Sequence, residues 1–239
     1  MRLRLAGALC ALCAALAAHA APALVFLAPN NHEMPLAQFE RGELQAGILK
    51  DLGQALAQRV GREARFLSIP SKRVGLALAS GQADLVCYVR PFWISGDFHW
   101  SRPFLPNQGL IIARADAPPL RQIGQLADER VGTVIGYVYP QLELALGSRF
   151  VRDDAPNMSS SFAKLAAGRV RYAVIEQMAI DWQRRQHPGL ALKTALALPG
   201  FQAQCALARS SSLTPHALDA AIAALVANGS IDAILARYK

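Results

Sequence analysis

The residues best suited to holding a small charged molecule crowd into positions 78–105, LASGQADLVCYVRPFWISGDFHWSRPFL. Six of the chain's seventeen aromatic side chains lie there: Tyr88, Phe92, Trp93, Phe98, Trp100 and Phe104. Loops are normally solvated, so rings gathered on a loop after a strand need a reason. One reading is a loop folded over its own small core. The other is that the rings line a ligand cleft, with Arg90 and Ser101 as polar anchors, since cleft walls are mostly apolar with a few placed polar groups. Covalent or metal chemistry has no comparable support. His32, His99, His187 and His216 are scattered, and no Ser-His-Asp order, metal-ligand spacing or phosphate loop occurs.

The elements that must position this stretch alternate between strand and helix. Residues 24–28 read as a strand, and 29–35 as a turn-rich loop. Leu49, Leu52, Leu56 and Val60 form the single apolar face of a helix that Gly61 stops. A strand over 64–69 leads to Ser71, a candidate helix cap. The helix ends at Gly81, and 83–89 is a buried strand rich in β-branched and aromatic residues. A strand over 109–114 precedes a linker-like break at Asp116-Ala117-Pro118-Pro119. Strand 131–135 turns through Gly136-Tyr137-Val138-Tyr139-Pro140 into a helix. Such a turn is either an ordinary junction or a place for an anion. Ser159 to Ser161 cap a further helix, followed by strand 172–176, helix 178–185 and strand 201–209. Thr214-Pro215 opens a helix with hydroxyl cap and N1 proline in their favoured places, and Ser230 caps the last one. The alternation predicts an α/β fold with mostly parallel sheet. LALASGQADLVCYV and FAKLAAGRVRYAVIE share one plan of apolar helix, Gly and strand, which suggests two similar lobes facing a common crevice.

Composition narrows the class. Hydrophobic residues make up 53% of 239, which argues for a buried core and against disorder. Met1-Arg2-Leu3-Arg4, an apolar stretch over 5–18 and the small-x-small site Ala18-His19-Ala20 form a secretory signal, with cleavage expected after Ala20. No later segment is apolar for long enough to span a bilayer, so a soluble, exported, periplasmic protein is expected. The formal net charge is +8, two units of it from Arg2 and Arg4, with no basic run. Nucleic acid is therefore a poor partner. Beyond the leader only Cys87 and Cys205 remain; export permits a disulfide, but two cysteines make no framework and could equally pack as buried thiols.

Five motifs in their order and spacing resemble the periplasmic solute-binding proteins of family 3, which serve polar amino acid ABC transporters. They are Gly47-Ile48-Leu49-Lys50-Asp51-Leu52, Gly81-Gln82-Ala83-Asp84-Leu85, Trp100-Ser101-Arg102-Pro103-Phe104, Val131-Gly132 through Gly136, and Asn228-Gly229-Ser230 to Tyr238. The resemblance implies the two-lobed periplasmic binding protein-like fold of type II. Each lobe is a mostly parallel sheet flanked by helices, and two hinge strands join them. Lobe 1 would comprise 22–105 plus 204–239 and lobe 2 106–203, after the signal peptide of 1–20.

The resemblance also implies a ligand site between the lobes. Family members that bind amino acids hold the α-carboxylate with an arginine shortly after the third strand. Pro91-Phe92-Trp93-Ile94 stands there instead, which makes Arg90 or Arg73 the replacement. The family's aspartate for the α-ammonium corresponds to Glu176, with Gln177 beside it. Asn30 and Glu33 occupy the first loop, where the family often has an acid, and Tyr137 replaces a small hydroxyl residue. Tyr88, Trp93 and Tyr137 would supply apolar wall. The strand of Cys87 would lie beside that of Cys205, so that a disulfide is possible. The implied function is capture of a small polar or amino-acid-like ligand, by a monomer without catalysis, cofactor or metal, for an inner-membrane ABC permease or receptor. The alternatives are a cyclohexadienyl dehydratase-like enzyme on the same fold and a sensory binding module.

Overall fold

The computed structural model describes residues 21–189 and 191–239. The expected leader lies outside them. In chain order the elements are β1 (Leu24–Pro29), β2 (Gln38–Glu40), β3 (Glu43–Ala46), α1 (Ile48–Arg59), β4 (Ala64–Ile69), α2 (Val74–Ala79), β5 (Leu85–Val89), β6 (His99–Trp100) and β7 (Leu105–Arg114). There follow β8 (Arg130–Val134), α3 (Pro140–Leu146), β9 (Val151–Ala155), α4 (Met158–Ala166), β10 (Tyr172–Glu176), α5 (Gln177–Gln186), β11 (Leu192–Leu207), α6 (Pro215–Ala227) and α7 (Ser230–Ala236).

One strand order runs through the molecule: β4-β1-β5-β11-β7-β10-β8-β9, with β6 also on β11. The outer pairs are parallel: β1 with β4 and β5, and β8 with β9 and β10. The central pairs are antiparallel: β11 with β5, β6 and β7, and β7 with β10. The result is a mixed α/β protein of two lobes, joined where β7 and β11 run side by side. In the first lobe, Leu24, Phe26 and Leu85 bury one face of the sheet against α1, α6 and α7, while Leu27, Val86 and Ala206 bury the other against α2. In the second, Ile111, Val131 and Val174 pack against Leu142 of α3, and Leu110, Ile112 and Ala173 against Phe162 and Ile180. A sheet buried on both faces explains why its strands read as continuous apolar runs.

Several ends differ from the sequence reading, each for a local reason. Asn157, not Ser159, caps α4, accepting from the Ser160 amide at 2.8 Å. Ser71 caps nothing by its side chain: residues 71–73 are a single 3-10 turn in front of α2. Gly229 rather than Ser230 stands at the start of α7, in the left-handed conformation that glycine adopts without steric penalty. β11 begins nine residues before the expected 201, because register shifts at 194–196 and 197–200 absorb Pro199 and Gly200 without ending the ladder. β9, Val-Arg-Asp-Asp-Ala, was not expected at all, since a half-exposed edge strand full of charge carries no apolar run.

Cys87 and Cys205 are partners in the register of β5 and β11, and their sulfurs are bonded. The same strand pair contains an irregularity that shapes the site. Val89 is opposite Gln204 and Cys87 opposite Cys205, so Tyr88 has no partner and forms a bulge. Its φ is +64°, a left-handed conformation that a bulky residue seldom takes. The bulge turns the Tyr88 side chain out of the regular alternation and toward the interlobe junction.

The Asn157 cap supplies a direct test of the second lobe. Asn157→Ala should lower the unfolding free energy by about 1 kcal/mol in urea, while Asn157→Asp should keep most of it. Equal stability of the alanine variant would mean that the cap contributes nothing.

Candidate functional site

A cavity partly open to solvent lies between the lobes. Its first-lobe wall comes from the ends of β1 and β5, the start of α2 and the aromatic loop. Its second-lobe wall comes from the turn before α3, the end of β10 and the 198–201 segment of β11. Strand carboxyl ends and helix starts converge here, as ligand sites in α/β folds do.

Glu176 ends β10 and stands at the cap position of α5. The Tyr88 hydroxyl donates to its Oε2 at 2.6 Å, and Asn107 Nδ2 donates to the same oxygen at 3.0 Å. Asn107 also donates to the Tyr88 hydroxyl oxygen, while its Oδ1 accepts from the Met178 amide at 3.4 Å. Three strands thus meet at one carboxyl group: β5 through Tyr88, β7 through Asn107, β10 through Glu176. No cation faces it. Glu176 lines the cavity, and burial pushes its pKa up to about 7, against the smaller opposing effect of the two donors. Burial drives the Tyr88 phenol up as well, with the neighbouring Glu176 charge adding to it.

Arg90 follows β5 and lines the same cavity. Its guanidinium lies 4.5 Å from the ring centre of Phe92, 5.3 Å from that of Phe201 and 5.9 Å from that of Trp93. At these distances the ring faces attract the cation. Partial burial lowers its pKa, far too little to discharge an arginine. No carboxylate among the described residues forms an ion pair with it. His32 is 8% exposed, and its ring meets those of Tyr88 and Tyr137 edge-on at 6.2 and 6.1 Å. Burial drops its pKa to about 4, so it is neutral at pH 7, and its Nδ1 has no hydrogen-bond partner.

The second-lobe turn is braced from behind. Arg152 donates to the carbonyls of Val134 and Tyr137, both at 3.0 Å, and the Tyr139 hydroxyl accepts from the Val134 amide at 2.9 Å. Gly136 has φ +81° and abuts the other lobe so closely that a Cβ would come within 2.6 Å of Ser71 Oγ. Further contacts draw the lobes together. Glu33 Oε2 accepts from the Ser159 amide at 2.7 Å, and Asn31 Nδ2 donates to the Ile135 carbonyl at 3.4 Å.

Of the residues picked out by sequence, Tyr88, Arg90, Trp93, Tyr137 and Glu176 line the cavity. Four do not. Asn30 is exposed beyond the end of β1, and Arg73 is exposed on the far side of its turn. Glu33 is committed to the start of α4. Gln177 borders a separate groove behind the hinge strands, bonded to Asp181 at 2.7 Å. Ser101 is structural: its hydroxyl donates to the Arg102 carbonyl and accepts from the Cys205 amide, both at 2.9 Å. The structure adds Asn107, His32, Phe201 and Leu198, which sequence reasoning did not select. Among the described residues no group of three His, Cys, Asp or Glu side chains is placed to hold a metal ion.

Glu176 and His32 have opposite pH signatures. Between about pH 4.5 and 7 the unfolded chain has lost the Glu176 proton that the folded chain keeps, so stability falls as pH rises. Between about pH 4 and 6.5 the unfolded chain has protonated His32 while the folded chain has not, so stability rises with pH. The two oppose each other over their shared range. Relative to the parent, Glu176→Gln should steepen the rise of stability over pH 4.5–6.5, by up to about 1.4 kcal/mol per pH unit, and His32→Gln should produce a fall. Denaturant melts of ligand-free protein across that range check this. Unchanged profiles in both variants would remove both assignments.

No protein-family model matches this chain, and no curated protein matches it. Solved structures do. An ancestral arginine-binding protein bound to arginine superposes with TM-score 0.76 at 20% identity, covering 91% of this chain and 97% of that one. A histidine kinase sensor domain with similarity to periplasmic binding proteins gives 0.75 at 19%, covering 90% and 95%. An amino acid ABC transporter substrate-binding protein from Streptococcus pneumoniae, bound to L-arginine, gives 0.72 at 20%, covering 91% and 94%. This chain shares their fold over nearly its whole described length.

Proposed function

We propose that this chain is a solute-binding protein of the family 3 type, which takes up a small amino-acid-like ligand between its lobes without altering it. One observation carries the reading. An arginine and a carboxyl group, neither paired with an opposite charge, face a single interlobe cavity. A zwitterion satisfies both: its carboxylate pairs with the forked donors of Arg90 and its ammonium with Glu176. Tyr88, Trp93 and Tyr137 pack along it. The lobes correspond to 22–105 plus 204–239 and to 106–203, and they close about β7 and β11 with the free energy of contacts made only in the closed state. The basic, apolar and small-x-small leader supports export to the periplasm. A substrate-binding protein of an amino acid ABC transporter has the same fold, which supports delivery to an ABC permease, and the chain is proposed to act as a monomer.

The sensor domain of equal structural likeness favours a second reading, in which the same cavity reports ligand to a membrane receptor. A catalytic reading draws on Glu176 alone, whose raised pKa suits a general acid. A matching base and a reacting-atom position are not evident beside it.

Binding should show as thermal stabilisation, about 2.7 kcal/mol at a hundredfold excess over Kd. Arg90→Ala should abolish it and leave the unliganded melt nearly unchanged. An ammonium set against Glu176 would ionise that carboxyl, so binding at pH 7 should release about half a proton per ligand. Calorimetry in buffers of different ionisation enthalpy reads this directly, and Glu176→Gln should remove it. A full shift in Arg90→Ala together with no proton release would overturn the proposed site.

A further inference from the structure

We infer that the ligand's side chain is uncharged and apolar, of the size of a branched aliphatic or aromatic amino acid side chain. This rests on the reading above, in which Arg90 and Glu176 take the ligand's own carboxylate and ammonium.

The first support is a count of charges on the cavity wall. Its lining side chains include one permanent cation, Arg90, one carboxyl, Glu176, and one histidine, His32. The histidine is neutral at pH 7 and buried among aromatic rings. Once the backbone charges of an amino acid are paired, nothing remains for a third charge. Of the charged groups nearby, Lys72 and Arg73 are exposed beside Ser71 and are not among the lining side chains, and Glu33, Asp154 and Arg152 already have partners. Glu33 accepts from the start of α4. Asp154 accepts from Arg152 at 2.7 Å and from Thr133 Oγ1 at 2.7 Å. Arg152 in turn is used on Asp154 and on two backbone carbonyls. An arginine or lysine side chain would enter without an acid, and a glutamate side chain without a cation. An unpaired charge taken out of water is strongly unfavourable.

The second support is the character of the rest of the wall. Val74, Trp93, Ile94, Val138, Leu198 and Phe201 all line it. Two of the phenols are committed elsewhere, that of Tyr88 to Glu176 and that of Tyr139 to the Val134 amide. The uncharged polar groups left on the wall are Ser71, Gln141, Tyr137, the Trp93 indole N–H and the neutral His32, whose Nδ1 has no partner. Burying an apolar body against six apolar side chains is favourable in proportion to the area removed from water.

The test is a calorimetric titration at pH 7 of the chain after unfolding, dialysis and refolding to strip any ligand carried through purification. The panel is leucine, phenylalanine, glutamine, arginine, glutamate and, outside the class, ribose. Leucine or phenylalanine should bind about a hundredfold or more tighter than arginine or glutamate, and Arg90→Ala should abolish that binding. Trp93→Ala should weaken it about tenfold while the unliganded melt stays cooperative. If arginine, glutamate or glutamine binds tightest, with dependence on Arg90, the apolar assignment is wrong and the binding-protein reading survives. If ribose binds and no amino acid does, or if nothing in the panel binds, both fall.

Discussion

The arrangement of this molecule depends on one buried carboxyl group. Glu176 sits where three strands from different parts of the chain converge, and two neutral donors, Tyr88 and Asn107, converge on one of its oxygens. Neutral donors stabilise a carboxylate less than a cation would, so burial wins and the proton is held up to about neutral pH. The group therefore joins the lobes in its present state and keeps a latent demand for positive charge. Arg90 mirrors it. It lies against aromatic rings, lines the cavity, and is unpaired among the described residues. A cleft with one latent anion and one unpaired cation on opposite walls suits the zwitterionic ligand proposed above.

The surrounding structure can be understood as support for those two groups. The β5 bulge aims Tyr88 across the junction, and the disulfide one residue earlier ties that strand to β11. Arg152 fixes the turn that carries Tyr137 by bonding its carbonyls, an indirect role for a cation that sequence inspection could take for a ligand contact. Gly136 permits the lobes to meet at Ser71 with no side chain between them. These are backbone-level devices, and they place the site on the ends of regular elements, where positions are well determined.

What the sequence disclosed follows the same division. The fold was legible because its strands, buried on both faces, appear as uninterrupted apolar runs such as Leu85–Val89 and Tyr172–Glu176, each preceded by an apolar helix and a glycine. Tyr88 and Trp93 stood out because aromatic rings crowd the end of a strand and the loop after it, against the usual solvation of loops, and Arg90 as the charge set among them. Asn107 gave no such signal. It is a polar residue in a strand, and its role exists only through the meeting of β5, β7 and β10, which no local pattern encodes. His32 looked like part of a turn-forming loop, because burial by the opposite lobe cannot be read from its neighbours in sequence. Gln177 and Arg73 show the limit of proximity along the chain. At a helix start, one residue's step turns the side chain through about a quarter of a circle, enough to separate Glu176 in the cavity from Gln177 in the groove behind it.

The unpaired tyrosine of β5 also constrains how chains of this design can diverge. Because Tyr88 is the surplus residue of its ladder, the number of residues in that strand carries information independent of their identity. Loss of a single residue between 85 and 89 would restore a regular pleat and swing the phenol to the opposite face, even with every remaining side chain unchanged. Residues 91–98 lie outside any ladder and face no such rule. Length variation in relatives of this chain should accumulate in that loop and spare the strand before it.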